Sequence, residues 1–368
     1  MEELSNLSNC KVMVVDDVGA NIDVLLEALS DDYKVSVAMD GETALEDIVE
    51  NMPDIILLDV MMPDIDGYEV CKRLKEDPQT RNIPVIFLTA LSDEQNEAKG
   101  LSLGAVDYIT KPFNPELVRS RVKNHLKLKL YQDHLEKLVD ERTNELQLTQ
   151  EVVIQSMGTL AEYRDSETGG HIKRTQSYIK LLCERLRYHP KFCDYLDYKT
   201  IDLICKSAPL HDIGKIGVHD SILLKPGKLT KEEFEAMKKH TIYGKEAIHE
   251  SSKTLGKNSF LVIAEEIAYH HHEKWDGTGY PQQLKGEAIP IASRIMAIAD
   301  VYDALISKRV YKEPYSHEFA KNILLQEKGK HFDPDIIDVF IELHEKFHKI
   351  ALKFADFDEE RKKLSENK

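Results

Sequence analysis

Three consecutive histidines, His270 to His272, precede the turn sequence Gly279-Tyr280-Pro281. Imidazole nitrogens are the commonest metal ligands in proteins, and three histidines in a row seldom serve packing alone. Residues that could complete a metal site occur far away in the chain: Glu167, His171, His211, Asp212, His240 and Asp300. The pattern therefore predicts a metal site that is assembled from distant parts of a folded domain.

The spacing of these residues suits metal binding. Glu167 and His171 are four positions apart, so one face of a helix presents both to the same ion. His211 and Asp212 are adjacent and offer an imidazole and a carboxylate that can bridge two ions. Asp300 follows an apolar run, where an unpaired buried carboxylate would be unfavourable and a metal would compensate it.

Mixed imidazole and carboxylate ligands favour Fe, Mn, Ni or Zn over Ca²⁺. The six to eight candidate ligands exceed what one tetrahedral site holds, so two or three ions are predicted. Two ions about 3.5–4 Å apart can hold a hydroxide and stabilise both oxygens of an in-line displacement at phosphorus. The predicted chemistry is attack by metal-bound hydroxide on a phosphate ester.

A second group of reactive residues lies near the N-terminus. Asp16 and Asp17 end the first predicted strand and Asp59 ends the third, which makes a hard-oxygen site suited to Mg²⁺. One carboxylate can attack a phosphoryl group while the cation neutralises its charge. Lys111 can pair with the phosphoryl oxygens, and Thr89 can donate a hydroxyl hydrogen bond to them.

Short Val- and Ile-rich runs predict the strands that would position this acidic group. The predicted strands are Lys11–Val15, Val35–Ala38, Ile55–Leu58, Val85–Leu88 and Val106–Ile109. Nearly continuous apolar runs are typical of strands buried on both faces, and the intervening amphipathic stretches predict helices. We therefore expect an α/β domain with a doubly wound, five-stranded parallel sheet, whose site lies at the carboxyl ends of the strands.

The chain from about Pro115 to Arg164 has almost no Gly or Pro and predicts one long helix. Apolar residues keep the 3-4-3 spacing of a coiled-coil seam at Leu128, Tyr131, Leu135 and Leu138. The favoured interpretation is a signalling helix that forms a parallel dimer. The alternative is a single connecting helix that packs along the next domain.

Beyond residue 150 the periodicity is helical throughout, which predicts an all-α domain. The clearest segments are Lys199–Ala208, Lys231–His240, Ser259–His272, Ile291–Ile306 and Asp335–Lys349. This domain would carry the predicted metal ligands.

Composition narrows the class of protein. The 65 acidic and 49 basic residues give a net charge of −16, which argues against a nucleic-acid surface. The N-terminus lacks a signal-peptide pattern, and no apolar run is long enough to span a bilayer, so membrane insertion is not expected. Five cysteines without a Cys-x-x-Cys pair favour a reducing, cytoplasmic compartment.

The spaced histidine and carboxylate motifs resemble the HD-GYP phosphodiesterases, which linearise cyclic di-GMP. The resemblance implies metal ligands at His171, His211, Asp212, His240, His271, His272 and Asp300, with Glu167 permitting a third ion. It implies catalytic roles for Asp212 and Lys215, the lysine contacting phosphate. It also implies substrate contacts at Gly279, Tyr280, Asp303, Arg309 and Lys312.

The acidic group resembles the receiver domain of two-component response regulators. The resemblance implies that Asp59 accepts the phosphoryl group and that Asp16 and Asp17 bind Mg²⁺. It implies that Thr89 and Lys111 sense the phosphoryl group, that Tyr108 is the aromatic residue that rotates on switching, and that Lys111-Pro112 is a cis peptide.

Together the two resemblances predict a receiver domain at 10–125, a helical linker at 126–150, a phosphodiesterase domain at 151–355 and a polar tail at 356–368. The predicted protein is a homodimeric response regulator that hydrolyses cyclic di-GMP to pGpG under control of Asp59. Whether a second cleavage gives GMP stays open. Its phosphoryl donor would be a sensor histidine kinase or a phosphotransfer protein.

Two alternatives remain for the function. The same ligands could serve hydrolysis of cyclic GMP-AMP, because they address phosphate and not base. A binding scaffold could hold a cyclic dinucleotide without cleaving it. Histidines outside the proposed ligand set are expected to be surface, packing or helix-end residues: His189, His219, His249, His270, His317 and His331.

Overall fold

The structure is a computed structural model, which describes residues 7–90, 99–163, 169–255, 259–308 and 313–365. The chain divides into two compact units, Met1–Glu145 and Leu146–Lys368. Glu167, Arg309 and Lys312, three of the predicted site residues, lie outside the described residues.

The N-terminal unit contains a five-stranded parallel sheet with the strand order β2-β1-β3-β4-β5. Its strands are β1 Lys11–Val15, β2 Lys34–Ala38, β3 Ile55–Asp59, β4 Val85–Ala90 and β5 Asp107–Lys111. Its helices include α1 Gly19–Leu29, α2 Gly41–Asn51 and α3 Gly67–Glu76. Because β1 and β3 are neighbours, Asp16 and Asp59 meet at the same edge.

The apolar residues of this sheet form two cores, one on each face. Val12, Val14 and Leu57 point to one core, and Met13 and Ile56 point to the other. Alternation along strands buried on both faces explains why the strand sequences are continuously apolar. The predicted doubly wound sheet is confirmed.

One helix, α4 Pro115–Tyr163, spans the boundary between the two compact units. Its extent agrees with the long helix predicted from about Pro115 to Arg164. The residues of the predicted seam, Leu128, Tyr131, Leu135 and Leu138, are exposed, with Leu135 at 59%. Exposed apolar side chains at heptad spacing are typical of a helix that packs against a partner helix.

The C-terminal unit is helical across the residues described. Its helices are α5 Gly169–Leu186, α6 Tyr198–Ser207, α7 Asp220–Leu223, α8 Lys231–Lys238, α9 His240–Leu255, α10 Phe260–His270, α11 Ile291–Ile306, α12 His317–Gln326, α13 Pro334–Lys353 and α14 Asp358–Leu364. Short 3-10 helices at Ala208–Leu210 and Ile213–Gly217 connect α6 to α7. The predicted all-α domain is confirmed.

The core of this unit is lined by α5, α11 and α13. Tyr178 stacks on Phe347 with ring centroids 4.5 Å apart, and Tyr302 meets both rings edge-on. Every residue of α11 from Ala292 to Ala299 is buried. Helix α11, which carries Asp300 and Asp303, is therefore held on several sides.

The segment 356–368 was expected to be a polar tail. The structure instead forms α14 there, and Leu364 is buried in the helical core. Glu360 is also buried and accepts hydrogen bonds from the backbone N–H groups of Asp356 and Lys308. The segment is polar in composition, yet two of its side chains anchor it to the domain.

Within the described parts of the chain, no helix combines the length and apolar character required to cross a membrane. All five cysteines are free thiols.

Candidate functional sites

The acidic pocket of the sheet unit brings together the residues that the sequence predicts. Asp16 and Asp59 are buried, and the Lys111 Nζ lies 2.8 Å from a carboxylate oxygen of each. Ligand oxygens of Asp16, Asp17 and Asp59 lie within 4.8 Å of one another. Asp16 also accepts hydrogen bonds from the Asn21 amide. This geometry suits a divalent cation with oxygen ligands.

Burial raises the pKa of Asp59, although the Lys111 ammonium counteracts that shift. The same two carboxylates raise the pKa of Lys111 despite its own burial. Lysine thus serves as the counter-ion of the two buried carboxylates. A bound cation and a phosphoryl group would have to share these contacts with Lys111.

Thr89 and Tyr108 line one small cavity beside this pocket. The Thr89 hydroxyl donates to the Ala90 carbonyl oxygen at 3.0 Å rather than to Asp59. Its predicted contact with a phosphoryl group therefore requires a rotation of the side chain. The predicted cis peptide between Lys111 and Pro112 is confirmed.

Tyr108 contacts the beginning of α4. The Arg121 guanidinium lies 5.5 Å from the centre of the Tyr108 ring. Asp107, the residue before Tyr108, accepts a hydrogen bond from Arg121, and its second oxygen is 3.1 Å from His125 Nε2. These contacts link strand β5 directly to the first turns of the long helix.

A histidine cluster in the helical unit surrounds the Asp212 carboxylate. Asp212 Oδ2 lies 3.2 Å from His211 Nε2, while Oδ1 lies 3.4 Å from His240 Nε2 and 3.6 Å from His271 Nε2. Potential ligand atoms of Asp212, His240, His271 and His272 lie within 4.8 Å of one another. Asp212 therefore stands at the centre of the predicted ligand set.

Three histidines around Asp212 are oriented through their other ring nitrogen. His211 Nδ1–H donates to the Ala208 carbonyl at 3.0 Å. The equivalent donors of His240 and His271 bind the carbonyl oxygens three and four residues earlier, at 2.8 Å and 2.9 Å. A neutral imidazole that donates through Nδ1 has its lone pair on Nε2. Three lone pairs consequently face the Asp212 carboxylate.

Four polar atoms that converge in this cluster are buried without hydrogen-bond partners among the described residues. They are Nε2 of His211, His240 and His271, together with Oδ1 of Asp212. A buried polar atom that lacks a partner costs about 1–3 kcal/mol, so four such atoms in one cluster are unfavourable in isolation. Divalent ions bound between these atoms would remove that cost, and the donor types suit transition metals.

The charges in the cluster also suit metal binding. Burial lowers the pKa of His240 to about 4 and that of His272 well below its usual value, so both rings are neutral near pH 7. Although burial opposes ionisation of Asp212, Lys215 and His211 hold its pKa well below the usual range. His240 and His272 thus offer neutral imidazoles beside an ionised carboxylate.

A second potential metal-binding group contains His171, His211 and Glu162, whose ligand atoms also lie within 4.8 Å of one another. Glu162 is buried near the end of α4, and its Oε1 lies 3.5 Å from His171 Nε2. Glu162 was not among the ligands predicted from the sequence, which included Glu167, a residue outside the described part of the chain. A usable signal was present, because Glu162 follows Ile154, Gly158 and Ala161 on one helical face.

Asp303 was predicted to contact substrate, and the structure corrects this prediction. Asp303 is buried, and its Oδ2 accepts a hydrogen bond from His171 Nδ1–H at 2.8 Å. Arg174 binds both carboxylate oxygens, at 2.7 Å and 2.9 Å. With both oxygens engaged inside the fold, Asp303 orients His171 and has no free face for a substrate.

Arg174 was also missed, although it lies three residues after His171 on α5. It is almost fully buried and additionally donates to Asp356 and to the Phe354 carbonyl oxygen, both at 2.8 Å. Its carboxylate partners keep it charged. Arg174 therefore compensates the buried charge of Asp303.

Asp300 is half-buried and belongs to neither group of clustered ligand atoms in the described structure. The charge of Asp300 nevertheless affects the site. Burial by itself would lower the pKa of His211, but the charges of Asp212 and, more weakly, Asp300 outweigh burial and raise that pKa above its usual value. Its role as a ligand stays a prediction. His270 lies outside both groups.

Gly214 allows the Asp212 loop to approach the first residue of α9. A Cβ at position 214 would lie 1.9 Å from the His240 carbonyl oxygen. The 3-10 helix Ile213–Gly217 can therefore pack directly on α9. This contact brings Asp212 and Lys215 beside His240, and the Lys215 Nζ lies 2.9 Å from Asp212 Oδ2.

The Gly-Tyr-Pro turn lies against the histidine cluster. The Tyr280 ring is 4.8 Å from the His272 ring, and Tyr280 N–H donates to the His272 carbonyl oxygen at 3.2 Å. A Cβ on Gly279 would lie 2.2 Å from the Lys274 backbone nitrogen. The glycine is therefore required by close packing of the turn on its own chain, which holds Tyr280 beside the site.

Comparisons with known proteins agree with the two units. A family model described as a response regulator receiver domain matches residues 12–123, and one described as an HD domain matches residues 154–336. A Vibrio cholerae protein named "Probable cyclic di-GMP phosphodiesterase" is 48% identical over 96% of this chain and 82% of its own length. The "Cyclic di-GMP phosphodiesterase response regulator RpfG" of Xanthomonas campestris is 34% identical over 94% of this chain and 90% of its own.

A third relative has a different named specificity. The Vibrio cholerae "3'3'-cGAMP-specific phosphodiesterase 2" is 34% identical over 78% of this chain and 51% of its own length. The relatives therefore include proteins named for two cyclic dinucleotides.

Proposed function

Because this chain belongs to the family of response regulators in which a receiver domain precedes an HD phosphodiesterase domain, we propose that it hydrolyses cyclic di-GMP to linear pGpG. The observation that carries the proposal is the set of four buried metal-facing atoms around Asp212 without hydrogen-bond partners in the described structure. Relatives of nearly full length that are named for this activity support it.

The ligand set fits divalent transition metals, with Fe or Mn favoured and Ni or Zn as alternatives. His240, His271 and His272 would hold one ion and His171, His211 and Glu162 another, with Asp212 between them. Glu167 and Asp300 remain candidates for completing the coordination or holding a third ion. When bound, such ions supply Lewis-acid stabilisation and a hydroxide at neutral pH.

The protein's own residues would position the phosphodiester. Lys215 places an ammonium beside Asp212, where it can donate to a non-bridging phosphate oxygen. Tyr280 offers an aromatic face next to His272, which suits a nucleobase or the sugar that carries it. Arg309 and Lys312, outside the described residues, are proposed to contact guanine or phosphate.

We propose that phosphorylation of Asp59 by a sensor histidine kinase or phosphotransfer protein controls this hydrolysis. The phosphoryl group would compete with Asp16 and Asp59 for Lys111, and Mg²⁺ would compete with Lys111 for the two carboxylates. Thr89 would turn from the Ala90 carbonyl oxygen toward the phosphoryl group. A movement of Tyr108 would act on Arg121, and hence on α4. Dimerisation through Leu128, Tyr131, Leu135 and Leu138 would transmit the change.

The second candidate function is hydrolysis of cyclic GMP-AMP, which the cGAMP-specific relative favours. The described ligands address phosphate, so they do not distinguish the two bases. A scaffold that binds a cyclic dinucleotide without cleaving it is the alternative from another class. The charge of the cluster is compatible with binding alone, so turnover has to be measured.

The test is product analysis on the full-length protein, loaded anaerobically with Fe²⁺ or Mn²⁺ and incubated with cyclic di-GMP or 3'3'-cGAMP. We expect linear pGpG, with a faster rate on cyclic di-GMP; accumulation of GMP would show a second cleavage. A faster rate on 3'3'-cGAMP would reassign the substrate. Tight binding without product under every metal would favour the scaffold and overturn the hydrolase proposal.

A further inference from the structure

Three histidines form a compact group on α12 and α13, away from the residues proposed for catalysis. His317, the first residue of α12, is buried, and its ring stacks on that of His348 with centroids 4.5 Å apart and planes at 1°. The His344 ring lies 5.3 Å from His317 in nearly the same orientation. His344 and His348 are one turn apart on α13 and present the same face to His317.

Two ring nitrogens of this group point at each other. His317 Nε2 lies 3.0 Å from His344 Nδ1, and His317 Nδ1 lies 2.7 Å from the Tyr302 hydroxyl oxygen. A single proton between His317 Nε2 and His344 Nδ1 gives both nitrogens a hydrogen bond. If the Tyr302 oxygen accepts from His317 Nδ1–H, however, Nε2 carries a lone pair that faces His344. Hydrogen bonds of this kind, made by the ring nitrogen that does not face the metal, orient metal-binding histidines.

The distances suit a metal ion. Two nitrogen ligands at about 2.0–2.1 Å from a tetrahedral zinc are roughly 3.3 Å apart, close to the 3.0 Å observed here. Glu318 belongs to the same group, because one potential ligand atom each of His317, Glu318 and His344 lie within 4.8 Å of one another. Glu318 is half-exposed and pairs with Lys321 at 2.6 Å, so its carboxylate can turn toward an ion.

We propose that His317, His344 and Glu318 form an auxiliary site for a divalent transition metal of the Zn²⁺ class, with water completing its coordination. Two nitrogen donors and one carboxylate select such an ion over Mg²⁺ or Ca²⁺. The site is distinct from the proposed catalytic centre, because none of its ligands belongs to the groups around Asp212 or His171.

The surroundings favour a neutral ligand at His317. Burial, with smaller effects from His348 and His344, lowers the pKa of His317 to about 4, so its ring is neutral near pH 7. When a metal binds, the proton between His317 Nε2 and His344 Nδ1 would move to His344 Nε2. His348 Nε2–H donates to the Leu364 carbonyl oxygen at 2.7 Å and supports the stack rather than the ion. Glu345, 3.9 Å from His344 Nδ1, adds negative charge nearby.

Metal binding at the auxiliary site would affect the proposed active site through Tyr302. This residue lies on α11 beside Asp303, which orients His171. A metal at His317 requires Tyr302 to act as the hydrogen-bond acceptor, and it ties α12 to α13. We therefore expect the ion to raise the melting temperature of the full-length protein, with little effect on the number of ions at the catalytic centre.

The experiment counts bound Zn²⁺ per chain after equilibrium dialysis of the full-length protein and records the spectrum of the Co²⁺ form. His344→Ala and Glu318→Gln alter partly exposed side chains, so neither variant disrupts the core. We expect His344→Ala to lose one bound ion per chain and the corresponding Co²⁺ bands. Glu318→Gln should bind the same ion more weakly.

His249→Ala is the matched control, because His249 lies 3.0 Å from the Glu265 carboxylate outside both sites. It should retain every ion. Asp212→Ala should keep the auxiliary ion even if it loses the catalytic ones, so failure of the proposed hydrolase function would not affect this result. An unchanged ion count in His344→Ala, or an equal loss in His249→Ala, would overturn the proposal.

Discussion

The two reactive clusters of this chain differ in how their buried charges are compensated. In the acidic pocket, the Lys111 ammonium lies 2.8 Å from both Asp16 and Asp59. In the histidine cluster, Lys215 reaches one oxygen of Asp212, while the other oxygen and three imidazole nitrogens have no hydrogen-bond partner in the described structure. In the first pocket a lysine pairs with both carboxylates, whereas the second cluster leaves one carboxylate oxygen and three imidazole nitrogens that could bind a metal ion.

This difference fits the proposed roles. A pocket whose charges are already paired has to exchange contacts when a phosphoryl group and Mg²⁺ arrive, and that exchange can move Thr89, Tyr108 and α4. A cluster whose lone pairs converge before metal binding needs little rearrangement to hold ions permanently. The acidic pocket is therefore suited to switching and the histidine cluster to catalysis.

The largest effect is expected for Asp212→Ala, because this carboxylate faces His211, His240 and His271 together. Removing a residue that only orients a metal ligand typically lowers metal affinity or activity by about 10–100-fold. Asp212 is itself a proposed ligand, so turnover of cyclic di-GMP should fall by more than about a hundredfold. Metal content, measured on the same samples, should fall as well. Asp202→Ala, at an exposed aspartate paired with Lys206, should change neither quantity. Full metal content in Asp212→Ala would show that the cluster is held without its central carboxylate.

The next largest effect is expected for Asp303→Asn, which tests whether Asp303 orients His171 or contacts substrate. Loss of the charge that fixes His171 should weaken metal binding by about 10–100-fold, with KM changed little in fully metal-loaded protein. The measurements are metal affinity by competition with a chelator and KM at saturating metal. In the control Asp356→Asn, Arg174 loses one partner but His171 keeps Asp303. A raised KM with normal metal affinity would restore Asp303 as a substrate contact.

The sequence predicted the elements of the fold well, because their patterns are local. Lys11–Val15 and Ile291–Ile306 were predicted with the bounds that the structure has. Strands buried on both faces have continuous apolar runs, and a buried helix has a 3.6-residue period, so neither prediction required knowledge of distant contacts. The strand ends then placed Asp16, Asp59 and Lys111 together.

The orienting groups of the histidine cluster were harder to predict. Asp300 and Asp303 are three residues apart on one helix, and nothing local shows that Asp303 binds Arg174, which is 129 positions away in the chain. Glu162 likewise becomes a candidate ligand only because α4 packs beside His171. Residue types predicted which groups can bind a metal, whereas long-range packing decides which carboxylate faces the ion and which supports a ligand.

A smaller effect is expected for Asp59→Asn, which removes the proposed phosphoacceptor from the acidic pocket. Allosteric coupling is typically worth about 5–150-fold, so acetyl phosphate should change wild-type turnover by a factor in that range, in either direction. The variant should lose the response and keep its metal content. Asp31→Asn, at an exposed position, should respond like the wild type. A response retained by Asp59→Asn would place control elsewhere.

The smallest effect on turnover is expected for Leu135→Glu, which places a charge in the exposed seam of α4. If the seam forms a parallel dimer, the charge is buried opposite its copy, so sedimentation velocity should show a shift toward monomer. Unstimulated turnover should change little, because the ligands around Asp212 are unaltered, while the response to acetyl phosphate should be lost. Gln147→Glu adds the same charge on the opposite face of the heptad and should leave the dimer intact. If wild type and Leu135→Glu are both monomers, with and without acetyl phosphate, the exposed seam is no dimer interface, and the switch must act within one chain through the contacts of Tyr108 and Asp107 with Arg121.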